Sequence, residues 1–330
     1  MNKSMKYNDT RTFAATLVAA LTLAGAGTAW SAEAGTDYLS DASLMVKVTG
    51  GSETSEAGHG AVGYDYYIGT YEVTNAQWAK FLNTIGVTTS NNSLGLYNAS
   101  QSSYGLTWNA GDSVFVGDNR PVNHVTFYDV ARFVNWLTNG GSASSDTETG
   151  MYTLSLGTGI IRNTDAWAAG GFAIASEDEW YRAAYYNGAG GFYGFPWGDD
   201  APSEVQTAAN GANFNNNVGT TTEVGYYTNA VSYFGTYDQG GNVWEWTETG
   251  TGTGTPSRFI YGGWFINEWW FLSTMEESSR DSMTPASASN GGGFRIVSLT
   301  AVPEPAAWAA LSGLALLAYA ALRRRSGTRG

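Results

Sequence analysis

Only three stretches of this 330-residue chain pair a helix-start signal with helical spacing, and none begins after Gly188. Thr74 and Gln77 form a capping-box pair ahead of Trp78, Phe81 and Leu82, which share one face. Thr126 with Asp129 precedes Val130, Phe133, Val134 and Leu137, and Gly140 stops the stretch. Ser176 with Glu179 precedes Trp180, Ala183 and Ala184, and Gly188 stops it. The remainder must be built from short strands and turns, with candidates at 226–227, 243–246, 259–261, 264–266 and 294–297. No 20–50-residue period is visible, which argues against a solenoid or propeller. Glycine, at 43 residues with runs such as 291–293, supplies the special turns of a loop-rich α+β domain.

Both ends differ from this middle. Lys3, Lys6 and Arg11 precede an apolar run over 13–26, and small residues follow to Ala34. That order predicts a signal peptide over 1–34, cut by signal peptidase after Ser31 or Ala34. At the other end, Val302-Pro303-Glu304-Pro305 leads into an uncharged 17-residue run and then Arg323, Arg324 and Arg325. The run is barely long enough to span a bilayer, and the arginines would hold their end in the cytoplasm. The expected division is a signal peptide (1–34), a lead-in (35–63), a folded domain (64–300) and a tail (301–330).

The formal charge is −13 although seven of the 16 Lys and Arg lie in the two ends, so the middle is strongly acidic. Such a surface repels nucleic acid and anionic lipid. With no cysteine, the chain has no disulfide, thiolate nucleophile or Cys-ligated zinc or iron–sulfur cluster. With two histidines, His59 and His124, it cannot build a three-His metal site on its own. His124 reads as a structural residue in a strand-like Pro-Val-Asn-His-Val run.

Several strings then stand in order: YYIGTYEVTNAQWAKFLN (66–83), PVNHVTFYDVARFVNWL (121–137), SEDEWYRAA (176–184), PWGDD (196–200), GGNVWEWTE (240–248), YGGWF (261–265) and GGFR (292–295). Together they resemble the formylglycine-generating enzyme and sulfatase-modifying factor family. The resemblance implies a C-type-lectin-like fold with few helices, short strands and heavy use of loops and calcium. Two departures stand out. Ala-Ile-Ala-Ser (173–176) replaces the family's Arg-Leu-Pro-Thr, and Trp264 follows Gly263 where the family has serine. The tail resembles the PEP-CTERM sorting signal of Gram-negative bacteria. That implies recognition by an exosortase near Pro303, Glu304 and Pro305, and export to the periplasm, outer surface or extracellular matrix.

The family's aerobic enzymes use copper held by two cysteines. From Pro285 and Gly293–Arg295, counting back through Arg280, those positions fall at Leu272 and Glu277. Leucine has no ligand atom and a carboxylate is hard, whereas Cu(I) selects soft sulfur. Copper catalysis is therefore rejected and no catalytic residue is assigned. The iron-dependent branch of the family needs more histidines than exist here. Calcium takes six to eight hard oxygen ligands. The resemblance implies Asp238 and Glu245 as side-chain ligands, Gly241 and Val243 as carbonyl ligands, and a weaker second site at Asn213 with Asn215 or Asn217. The competing reading is that Glu245 pairs with a buried arginine such as Arg295. A ligand groove is expected at Trp269, Trp270, Glu276 and Arg280, where indole faces suit sugar rings or extended peptides.

The expected function is an exported, surface-sorted, non-catalytic binding or structural protein linked to exopolysaccharide, matrix or an extracellular peptide. The alternatives are a rewired enzyme using Glu276, Glu277 or Asp281, and an inactive partner in maturation of exported sulfatases.

Overall fold

Side-chain hydrogen bonds at three N-caps start the three long helices. In this computed structural model, which describes residues 37–155, 160–198, 211–252, 257–266 and 279–301, all three are complete capping boxes. Helix α1 (Asn75–Thr84) begins where Thr74 Oγ1 accepts from Gln77 N–H at 3.3 Å, while Gln77 Oε1 accepts from Thr74 N–H at 2.8 Å. Helix α2 (Phe127–Thr138) uses Thr126 and Asp129 in the same way. The short helix α3 (Thr164–Ala168), capped by Asn163, has too few residues to show a period and was not expected. Helix α4 (Glu177–Tyr185) is capped by Ser176 and Glu179. It stops before Gly188, because Tyr186 turns extended (φ −57°, ψ 133°), bridges to Phe192 and stacks on Phe234 at 5.6 Å.

Three sheets share the strands β1 (Met45–Val48), β2 (Tyr66–Gly69), β3 (Leu106–Asn109), β4 (Val114–Gly117), β5 (Phe172–Ile174), β6 (Trp244–Gly250), β7 (Arg258–Tyr261), β8 (Asp281–Met283), β9 (Gly292–Gly293) and β10 (Ile296–Ser298). One sheet runs β1-β2-β10-β5 with antiparallel neighbours, so strands from both ends of the domain pair centrally. Strand β1 falls inside 35–63, the stretch set apart as a lead-in, and is hydrogen-bonded along its length to β2. A hairpin joins β3 and β4, and the third sheet runs β8-β7-β6-β9.

Three strand expectations need correction. Residues 226–227 form a turn, with Tyr226 N–H donating to Glu223 O and Ala230 N–H to Tyr227 O. Residues 264–266 bond to loops rather than to a ladder: Phe265 N–H donates to Asn242 O, and its carbonyl accepts from Asn216 N–H. The 294–297 stretch is no single strand. The chain leaves β9, parallel to β6, and enters β10 in the other sheet, with Arg295 in the crossover. The Pro-Val-Asn-His-Val run is also not a strand; His124 has φ 53°.

The core is aromatic. Trp78 from α1 stacks on Phe133 from α2 at 5.6 Å, and Phe133 meets Phe81 and Phe294 at 5.5 Å each. All four are at most 1% exposed, so each contributes on the order of 2 kcal/mol from burial. Helix α1 lies so close to β4 that a Cβ on Gly117 would stand 2.1 Å from Asn75 O.

Candidate functional site

Arg295, at the crossover between sheets, organises the centre of the molecule. Its Nε and Nη2 donate to Glu245 Oε2 and Oε1 at 2.6 and 2.7 Å, a bidentate pair with both residues 0% exposed. Its remaining donors reach the carbonyls of Gly69 (2.9 Å), Thr70 (3.3 Å) and Tyr237 (2.8 Å). Trp180 Nε1 also donates to Glu245 Oε2 at 2.7 Å. Glu245 has thus taken the partner that sequence offered as the alternative to a metal.

Two further carboxylates face this pair. Asp238 sits in the left-handed region (φ 60°), and its Oδ2 accepts from Gly225 N–H at 2.5 Å. Burial pushes its carboxyl up to about 6; the Gly225 bond and Arg295 oppose the rise and Glu245 adds to it. Glu72 is 0% exposed, and neither carboxylate oxygen has a hydrogen-bond partner among the described residues. Burial raises its carboxyl well above the usual range, Asp238 and Glu245 add to this, and Arg295 opposes it. Glu72 stands in the Glu-Val-Thr-Asn string, but sequence reasoning gave it no role. The available signal was a carboxylate immediately before a buried valine and a helix cap.

The loop before β6 is shaped by close backbone approach. A Cβ on Gly241 (φ 81°) would lie 2.4 Å from Asn213 O, so only glycine fits. Asn213 and Gly241 form a parallel bridge, and Asn242 N–H donates to Asn213 O. Asn213 Nδ2 donates to Thr220 O and Asn242 Oδ1, while Asn213 Oδ1 and Thr221 Oγ1 have no partner among the described residues. An orphaned amide oxygen and hydroxyl suit a hard cation, so Asn213 of the weaker expected site fits calcium, together with Thr221, which sequence did not single out. At the main expected site, the Asp238 carboxylate fits, whereas both Glu245 oxygens already accept strong bonds. Among the described residues no three His, Cys, Asp or Glu converge as a metal-ligating group.

Of the expected groove, Trp269, Trp270 and Glu276 lie outside the described residues, as do Leu272 and Glu277. Arg280 is described. It ion-pairs with Glu177, whose carboxylate also accepts from Tyr261 OH, and its guanidinium lies 3.9 Å over Phe259. His59 Nε2 stands 3.2 Å from Arg280 Nη1. Pro303, Glu304 and Pro305 also lie outside the described residues, among which no helix is long and apolar enough to cross a membrane. His124 is fixed through its backbone, donating from N–H to Ser289 O, and its ring packs on Tyr104 at 5.4 Å.

Short strands in three small sheets, box-capped helices and long ordered loops around a buried arginine define a loop-rich α+β domain of the formylglycine-generating-enzyme type. Residues 31–299 match the sulfatase-modifying factor enzyme 1-like domain, and the chain belongs to that family. Among solved structures, it is similar to Treponema denticola variable protein 1, with a TM-score of 0.51 and 19% identity over 78% of this chain and 95% of that one. It also matches CarF (TM-score 0.49, 22% identity, 77% and 97% covered). PvdO from Pseudomonas aeruginosa matches too (TM-score 0.49, 14% identity, 77% and 93% covered). No curated protein matches the chain.

Proposed function

We propose that this protein is an exported, surface-sorted, non-catalytic member of its family, serving as a binding or structural module associated with exopolysaccharide or matrix. One observation carries the reading: the sequence has no cysteine. The copper chemistry of the family's aerobic enzymes needs two thiolates on the protein. Leucine and glutamate at 272 and 277 offer Cu(I) no soft ligand. What the fold retains is a framework of loops held by buried ion pairs, which can present a surface without running a reaction. Export rests on the charged, apolar and small-residue order of 1–34. Sorting by an exosortase rests on Pro303-Glu304-Pro305, the apolar run and the arginine cluster.

Calcium is proposed as a structural ion of the loops. Its support is Asn213 Oδ1 and Thr221 Oγ1, without a partner among the described residues, in one loop and the Asp238 carboxylate in the next. Its role would be to tie loop oxygens together, not to bind a reacting group.

The test supplies the purified chain with Cu(I), dioxygen, a reductant and a peptide carrying a sulfatase-type cysteine. Oxygen uptake and loss of the thiol are then followed. No consumption above the protein-free control is expected. Sustained turnover would end the non-catalytic reading. Retention of the chain at the cell surface, lost when 302–330 are deleted, is the expected result for sorting.

A further inference from the structure

The loop over residues 223–238 presents two tyrosines that the core does not use. Among the described residues three aromatic side chains are strongly exposed: Tyr64 at 42%, Tyr226 at 47% and Tyr233 at 58%. Tyr64 has a structural task, because its hydroxyl donates to Glu179 Oε1 at 2.9 Å. Tyr226 and Tyr233 both stand on this loop and share one arrangement. Each is followed by a less exposed aromatic residue that meets it edge-on, Tyr227 at 5.2 Å and 80° and Phe234 at 5.0 Å and 81°. Tyr233 is braced further. Tyr186 meets its ring edge-on at 5.7 Å, and the Arg182 guanidinium holds Tyr186 from 4.3 Å. Gly188 (φ 76°) lies so close to the Tyr233 ring that a Cβ there would stand 2.3 Å from Cε2. What these neighbours do not cover, 58% of the residue, is open to solvent. The loop itself is pinned, with Gly225 N–H donating to Asp238, Ser232 N–H to Thr236 O and Tyr237 N–H to Thr70 O.

We infer that the loop over 223–238 is a stacking surface for a neutral polysaccharide, with Tyr226 and Tyr233 as its two contact rings. A ring already fixed in place loses little entropy when a ligand covers it. Tyrosine offers an apolar face with a hydroxyl at its tip, which matches a pyranose, whose faces are C–H and whose rim is hydroxyl. The charge of the region selects the class of glycan. No lysine or arginine lies between Arg182 and Arg258, and Glu223 at the start of the loop is exposed, so a polyanionic chain meets no counter-charge here. The residues exposed beside the rings, Glu223, Thr228 and Asn229, are polar, unlike the continuous apolar patch that marks a protein partner. The inference rests on the proposed association with exopolysaccharide. It assigns the contact to residues other than the groove expected at Trp269, Trp270, Glu276 and Arg280.

The experiment runs the full chain in native gels cast with dextran, galactomannan, hydroxyethylcellulose or polygalacturonate, and takes Kd from the retardation. The parent should be retarded by at least one of the neutral polymers and not by polygalacturonate. Tyr226→Ala and Tyr233→Ala should each weaken that binding about three- to tenfold, and the double variant should weaken it more. Gly188→Ala should weaken it as Tyr233→Ala does, because the ring is displaced although it is still present. Tyr233→Phe keeps the face and should bind within about twofold of the parent, as should Leu94→Ala, which alters an exposed apolar residue on another segment. Each tyrosine variant should keep its Tm within about 2 °C of the parent, since both rings are exposed. If the parent binds none of the four polymers, the polysaccharide reading itself fails. Unchanged binding in the folded double variant leaves that reading standing and overturns this inference alone. Tyrosine-dependent binding of polygalacturonate alone overturns the neutral class, and a Tyr233→Phe loss equal to that of Tyr233→Ala overturns stacking as the mode of contact.

Discussion

Replacing Arg295 by methionine tests whether the buried pair holds the two main sheets together. Methionine fills similar space but donates nothing. Glu245, 0% exposed, would keep its charge with Trp180 Nε1 as its one remaining donor among the described residues, and breaking a buried pair in this way costs about 3–5 kcal/mol. The carbonyls of Gly69, Thr70 and Tyr237 would lose a charged donor, adding about 1 kcal/mol each. The expected loss is roughly 6–8 kcal/mol, comparable with the whole stability of an ordinary domain. The complementary change, Glu245→Gln, should cost much less, about 2–3 kcal/mol. It leaves the three carbonyl bonds in place, keeps an oxygen for Trp180, and leaves Arg295 with Asp238 as a counter-charge. Urea unfolding followed by tryptophan fluorescence reads the order through the midpoint, with m unchanged. Equal costs for the two variants, or a larger cost for Glu245→Gln, would refute the assignment of Arg295 as the organising group.

Three other outcomes are expected. Glu179 is buried, which alone would raise its carboxyl, but Arg162, Ser176 N–H and Tyr64 OH hold it below the usual range. A lowered folded value stabilises above the unfolded value of about 4.3, and the gain is lost as pH falls through the folded value. The gap in Tm between the parent and Arg162→Met should therefore narrow steadily as pH is lowered from 7 towards 3; a constant gap would contradict the pairing. Thr74→Ala and Thr126→Ala each remove a cap acceptor and should cost about 1 kcal/mol in urea unfolding, with no effect expected if the caps were solvent-satisfied. Gly117→Ala should cost roughly 1–3 kcal/mol or more, because the clash is with backbone Asn75 O and no rotamer relieves it; a neutral result would mean α1 and β4 are further apart.

What sequence revealed and what it hid divide along a physical line. The three long helices were legible because their start is a local event: a threonine or serine oxygen bonds an amide three residues on, and that spacing is written in the chain. Strands β6 and β7 were legible from their aromatic and β-branched runs. The turn at 226–227 and the loop at 264–266 carry the same residue types, and only their distant partners, Glu223 and Asn242, decide against a strand. Strands of two to four residues, such as β9 and β5, have no period of their own and exist because a neighbour completes their bonds. The same limit governs the site. Glu245, Arg295, Asp238 and Asn213 stood in recognisable strings, and the Glu245–Arg295 pair could be named in advance as one of two readings. Glu72 stood in an equally recognisable string, yet its character is a property of its surroundings: total enclosure, no side-chain hydrogen-bond partner among the described residues, and two like charges acting on it. A carboxylate becomes chemically unusual only when folding decides what it is denied, and that denial involves residues more than 150 positions away, at Asp238 and Arg295.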